Sequence, residues 1–328
     1  MSATRPSPHA PRPSPLASRP PNDVLAIGDL NIDLILGVNG LPEFGREVLA
    51  HSIAQHSGGV AANLAAYCAR LGLKVALLAR VGRDRFGDFL IAEMLDKGVV
   101  TDHIIRDERR PTGITVSLSG PADRAFVTHV GTIDSLTGAD ATDELLASAR
   151  LVHLGSYFLQ TKLQPDVPDL LRRAKAAGAI TVLDTGYDPY ERWDTGVHEA
   201  LRRVDLFLPN KVEATQITGK DDPLVAQKKL VELGPAVALK LGAQGARFLS
   251  ATDEAGLGAF AVSVVDSTCC GDAFDAGFLS AWLKGKRPQE CLAWGNACGA
   301  LVASGEGNAA EKVSVAAVEA VLLAGAVR

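Results

Sequence analysis

Val264-Val265-Asp266-Ser267-Thr268-Cys269-Cys270-Gly271-Asp272-Ala273-Phe274-Asp275-Ala276-Gly277-Phe278 is the stretch on which the reading of this chain turns. The β-branched pair Val264-Val265 predicts a strand end, and the small residues after it predict a tight turn. The apolar spacing from Ala273 to Leu283 predicts a buried helix. Asp272 then falls in the first turn of that helix, just past a strand. Unpaired backbone N–H groups at such a turn suit an anion. Acidic residues are also ordinary near helix N-termini, so placement alone leaves two readings open. A carboxylate beside an anion site has one natural task, to accept the proton of a hydroxyl that attacks a phosphoryl group.

The rest of the chain narrows the choice. Its 328 residues, 47% hydrophobic, suffice for one large α/β domain with a small appendage. Net charge is −5, no basic block stands out in the folded part, and aromatics are 5%; nucleic acid is therefore not an expected partner. No apolar run is long enough to span a membrane. Cys68, Cys269, Cys270, Cys291 and Cys298 are odd in number and lack paired zinc-ligand spacing, which predicts reduced thiols in a cytoplasmic protein. Residues 1 to 22 are rich in Pro, Ser and Arg and have no apolar stretch of a secretory signal, so they read as a disordered tail.

From Val24 onward, strands and helices alternate. Strands are expected at Val24–Asp29, Val75–Ala79, Leu151–Leu154, Ile180–Asp184, Leu206–Asn210 and Val237–Lys240, and helices at Ala61–Leu71, Phe86–Lys97, Asp169–Ala177 and Val225–Leu233. The alternation predicts a mostly parallel sheet with helices on both faces. Segments at about 33–55 and 104–130 look strand-rich without helices, the second bracketing a polar turn at Gly120–Arg124, and predict a small β-sheet against the edge of the large domain.

Four further motifs carry chemistry. Asn31 and Asp33 follow the first strand, where open α/β sheets place ligands; they suit sugar hydroxyls, or serve only as turn residues. Gly58 and Gly59 precede a helix that carries Asn63 on an apolar face, and a buried amide needs partners. Asn210 and Glu213 start a helix, either as a capping box or to orient magnesium-bound waters and phosphate oxygens. Lys240, Gly242 and Gly245 follow another strand, either as a hairpin turn or to let a nucleotide approach the backbone; no Walker A Gly-Lys-Ser/Thr is present. The thiols of Cys269 and Cys270 read as small side chains tolerated in the anion turn more readily than as redox-active groups.

In this order the motifs resemble those of the PfkB-type carbohydrate kinases of the ribokinase-like superfamily, over nearly the whole chain from residue 23. The family pattern Asp-Thr-x-Gly-Ala-Gly-Asp matches Asp266 to Asp272, with Ser267 in place of Thr and Cys269 and Cys270 in place of Gly and Ala. The resemblance implies a three-layer α/β/α core under a small β-sheet lid, and an ATP-dependent sugar kinase. Asp272 would be the base, and the amides of Cys269, Cys270 and Gly271 the anion hole. Asn31, Asp33, Gly58, Gly59 and Asn63 would hold the sugar, Asn210 and Glu213 would act on Mg2+ and phosphate, and Lys240, Gly242 and Gly245 would lie along ATP. Many members bind a monovalent cation such as K+; Asp266, Thr268 and the Ser304-Gly305-Glu306-Gly307 loop are the matching places. If Cys269 needs φ > 0, it is strained by about 1 kcal/mol or more.

Three rivals stand beside this reading. A nucleoside kinase would use Phe44, Phe126 and His129 to stack on a base. A phosphosugar kinase would use Arg46, Arg109, Arg110 or Arg124. A non-catalytic sugar-binding protein on the same fold is opposed by the intact Gly271-Asp272 pair. A homodimer through the exposed edges of the lid is also expected.

Overall fold

The computed structural model describes residues 20–120, 124–305, 307 and 309–325. The tail expected over residues 1–22 lies outside them up to residue 19, as do Pro121 to Asp123 of the polar turn and Glu306 of the loop. Thirteen strands are found among the described residues: β1 Asn22–Ile27, β2 Asn31–Gly37, β3 Ser52–Gly58, β4 Val75–Gly82, β5 Ile104–Asp107, β6 Ile114–Ser119, β7 Arg124–His129, β8 Ala149–Leu154, β9 Ile180–Leu183, β10 Leu206–Phe207, β11 Ala236–Lys240, β12 Ala246–Leu249 and β13 Glu254–Leu257. Nine form a large sheet in the order β13-β12-β11-β10-β9-β8-β1-β4-β5, parallel except at β11-β12-β13.

Strict alternation along β1 separates two cores. Val24 and Ala26 pack with helices Val60–Arg70, Cys270–Leu283 and Pro288–Ala303, while Leu25 and Ile27 pack with helices Val167–Ala176, Val197–Leu201 and Pro223–Val231. The result is the expected α/β/α core, with helices on both faces of a mostly parallel sheet. The chain runs from β1 to β4 on one side and later returns to β8 on the other, so the strand order reverses beside β1. That switch point opens a crevice at the carboxyl ends of the strands.

The second sheet has the order β3-β2-β6-β7 and reaches the turn before helix Cys270–Leu283 through Arg124 on β7. The strand-rich stretch expected over 104–130 divides: Ile104–Asp107 pairs with β4 in the large sheet, and only β6 and β7 join the small one. Asp84 anchors the root of β6 by accepting from Thr112 N–H at 2.8 Å and Thr112 Oγ1 at 2.7 Å, while it caps helix Arg85–Asp96 through Gly87 N–H.

Val264-Val265 does not end a strand. Both side chains are exposed, and Val265 N–H bonds the Ala303 carbonyl at the end of helix Pro288–Ala303. The segment finds a helix C-terminus rather than a strand to pair with, so its β-branched pair reads as strand only locally. Among the described residues, no helix is long and apolar enough to cross a membrane.

Candidate functional site

Helix Cys270–Leu283 begins at the crevice, with Cys269 as its N-cap at φ 58° and ψ 5°, in the left-handed region. Keeping a side chain there costs about 1 kcal/mol or more. Cys270 N–H makes a long 3.5 Å contact to Ser267 O, and the first-turn N–H groups lack partners within a helix. Asp272 stands in that turn. Asn63, on the buried face of helix Val60–Arg70, donates Nδ2–H to Asp272 Oδ2 at 2.8 Å and to Cys269 Sγ at 3.2 Å. Burial and then the nearby Asp184 charge push the Asp272 carboxyl well above the usual carboxylate range, against the opposing pull of Asn63. A carboxylate so raised is a better proton acceptor near neutral pH.

The opposite wall is built from the start of β2, in the small sheet. Asn31 donates to Asp33 Oδ1 at 2.7 Å and lies 3.5 Å from Thr115 Oγ1 on β6. Burial first, and the Asp29 charge with it, raise Asp33 to about 7, with the Asn31 bond opposing. Gly58 lies against Asp33 so closely that a Cβ there would stand 2.2 Å from the carboxyl group. Gly59, at φ 103°, leads into helix Val60–Arg70. Asp29 ties these pieces together, accepting from Ala61 N–H at 3.1 Å and from Ser156 Oγ at 2.6 Å.

On the other side, Asn210 and Glu213 form a reciprocal capping box: Asn210 Oδ1 accepts from Glu213 N–H at 3.0 Å, and Glu213 Oε2 accepts from Asn210 N–H at 2.8 Å. Burial, then the Asp184 charge, raises Glu213 to about 7. Lys240 at the end of β11 turns inward, its Nζ 2.8 Å from Asp184 and 2.9 Å from Asp275. Burial alone would raise Asp184, but Lys240 and hydrogen bonds hold it at about 2; burial keeps Asp275 well above the carboxylate range. The same ammonium lies 3.6 Å from where a Cβ on Gly271 would stand, so it sits beneath the anion turn. Gly242 and Gly245 flank the short turn from β11 to β12, at φ 61° and 84°; a Cβ on Gly245 would meet Leu257 O at 2.0 Å. Sequence reading missed Asp184 and Asp275 as site residues. The signal was available: one ends a strand at the crevice, and the other lies three residues beyond Asp272 on the same helix.

Arg124 on β7 reaches over the crevice, its Nη1 2.6 Å from Thr268 Oγ1 and 3.1 Å from Asp266 Oδ1. Of the other arginines considered for a phosphosugar, Arg46 pairs with Glu43 and Arg110 with Asp134. Phe44, Phe126 and His129 are exposed on the small sheet and its loops. Gly307 N–H donates to Asp266 Oδ2 at 3.1 Å, and Gly305 adjoins the Lys312 side chain.

A family model described as "pfkB family carbohydrate kinase" matches residues 21–313. An uncharacterised sugar kinase of Archaeoglobus fulgidus is 33% identical over 232 residues, covering 69% of this chain and 90% of that protein. An ATP-dependent ribose-1-phosphate kinase of Halopiger xanaduensis is 31% identical over 286 residues, covering 87% of this chain and 93% of that one. The structure of Arabidopsis thaliana ribokinase complexed with ribose and ATP superposes with a TM-score of 0.78 at 26% identity, over 93% of this chain and 99% of that one.

Proposed function

The chain belongs to the pfkB family of carbohydrate kinases, and from that premise we propose that it transfers the γ-phosphoryl group of ATP to a hydroxyl of a small carbohydrate, with Asp272 as the base. The observation that carries the assignment is the Asn63–Asp272 bond of 2.8 Å at the mouth of the helix Cys270–Leu283. It holds a carboxylate of raised basicity beside the first-turn N–H groups of that helix, at the end of the crevice.

In this reading Asn31 and Asp33 hold acceptor hydroxyls, with Gly58 and Gly59 allowing close approach, and Asn63 orients Asp272. As the hydroxyl oxygen attacks the γ-phosphorus, its proton passes to Asp272. Backbone N–H groups of Cys269, Cys270 and Gly271 receive the charge on the phosphoryl oxygens. Gly242 and Gly245 lie along the nucleotide, while Lys240 fixes the charge beneath the turn. The donors at Asn210 and Glu213 fit magnesium: hard oxygen groups, with Glu213 raised first by burial and then by the Asp184 carboxylate, whose repulsion a divalent ion would relieve. Bound there through water, Mg2+ would neutralise phosphate charge. The small sheet acts as a lid that excludes water. Its exposed edge, with Ile53 on β3, suits a homodimer, and the five unpaired thiols suit the cytoplasm.

ADP release from ATP and Mg2+ across sugars, phosphosugars and nucleosides tests the proposal. Turnover with a sugar or phosphosugar supports it. Turnover with nucleosides alone replaces it by a nucleoside kinase. Ligand-induced thermal stabilisation without ADP release from any acceptor replaces it by a sugar-binding protein.

A further inference from the structure

The monovalent cation expected at Asp266, Thr268, Gly305 and Gly307 does not fit the groups found there. Two protein cations already stand on the described oxygens of this corner, and a metal ion seated beside them would meet their charge. Asp266 Oδ1 accepts from Thr268 N–H at 2.8 Å, Thr268 Oγ1 at 2.7 Å and Arg124 Nη1 at 3.1 Å. Asp266 Oδ2 accepts from Gly307 N–H at 3.1 Å. The Thr268 hydroxyl also accepts from Arg124 at 2.6 Å. On the facing loop, Ala303 O takes the Val265 N–H at 2.8 Å. Ser304 O and Ser304 Oγ accept from Lys312 Nζ at 2.5 and 3.2 Å. The Lys312 stem lies along that loop, its Cε 3.0 Å from where a Cβ on Gly305 would stand. One guanidinium and one ammonium therefore bracket the two segments that flank the anion turn.

We propose that Arg124, on Asp266 and Thr268, and Lys312, on Ser304, take the place of a monovalent metal ion in this chain and supply positive charge beside the phosphoryl site, so that turnover needs neither K+ nor Na+. The proposal rests on the kinase reading. It adds a consequence of topology: Arg124 is carried by β7, an edge strand of the small sheet. Closing that sheet over the crevice brings the guanidinium to Asp266, and opening it takes the charge away. Charge at the turn thus depends on the lid being shut.

Two measurements test this. The first compares ADP release at constant ionic strength in KCl, NaCl and tetramethylammonium chloride. The wild type is expected to hold its rate within about twofold across the salts, and R124A to lose roughly tenfold or more in tetramethylammonium, regained with K+ or guanidinium. Saturable activation of the wild type by K+ of about fivefold or more overturns the proposal, as does an R124A rate equal to wild type. If R124A does not fold, R124K against R124Q asks the same question, with the charge-keeping variant expected to be the faster. The second measurement soaks wild-type crystals in thallium(I), whose anomalous scattering marks K+ sites. No peak is expected at Asp266 or the 303–305 carbonyls, and a peak bonded to them overturns the proposal. The thallium result stands whether or not any acceptor gives ADP, so failure of the kinase reading and failure of this proposal remain distinguishable.

Discussion

Replacing Asp33 by asparagine should remove a pH-dependent penalty on the fold. Asp33 rises from 3.8 to about 7 in the folded protein, through burial and the Asp29 charge. Below pH about 4 it is protonated in both folded and unfolded chains, and there is no penalty. Between about 4 and 7 the unfolded chain releases the proton while the folded protein keeps it, so stability falls as pH rises. Above about 7 the loss is complete. A shift of about 3 units at 1.36 kcal/mol each amounts to about 4 kcal/mol. The amide oxygen that D33N introduces can still accept from Asn31, whose bond goes to one oxygen, Oδ1. Urea unfolding of wild type and D33N from pH 4 to 8.5 reads the effect. The stability of D33N relative to wild type should grow by about 4 kcal/mol across that range. Glu213 also titrates at about 7 but is common to both proteins and cancels in the difference. Parallel pH profiles would show that Asp33 is not buried with its proton, and the reasoning would fail.

Three more outcomes follow from the site. K240M leaves Asp184 and Asp275 buried without their cation, and should cost about 3–5 kcal/mol, lowering Tm by roughly 10 °C; an unchanged Tm in calorimetry contradicts the pairing. N63A removes a hydrogen bond to a charged group worth about 1.5–3 kcal/mol, so kcat should fall roughly ten- to a hundredfold. Because the base must be ionised and Asn63 opposes the rise of Asp272, the acid limb of kcat/KM should lie above the ordinary carboxylate range and move higher still in N63A; a downward move refutes the assignment. C269G relieves a left-handed side chain worth about 1 kcal/mol, and should raise Tm by a few degrees; a lower Tm means that the Asn63 contact to the thiol outweighs the strain.

Much of the large domain was legible because its strands are buried on both faces and its helices have one apolar face. The expected strands and helices in that domain fall within a few residues of those observed. The failures are instructive. Val264-Val265 has strand composition, but its backbone pairs with the end of a helix, a tertiary choice that no local pattern encodes. Ile104–Asp107 is a four-residue strand whose sheet is decided by which neighbour it meets. The sequence also marked Asn210 and Glu213 as a cap or a magnesium group, and the capping box is formed without removing the second role. Asp184 and Asp275 could each be suspected from their positions, but their pairing with Lys240 was not legible, since they lie 56 and 35 positions from it and meet only when three elements converge. Arg124 likewise meets Asp266 across 142 positions, by way of the second sheet.

The most direct test is the rate of ADP release by wild type and D272A, with ATP, Mg2+ and the best acceptor from the panel, alongside acceptor binding by each protein. If Asp272 takes the acceptor proton, turnover disappears in D272A while acceptor affinity stays close to wild type. D272A retaining roughly a tenth or more of wild-type turnover would contradict the account and place the base elsewhere.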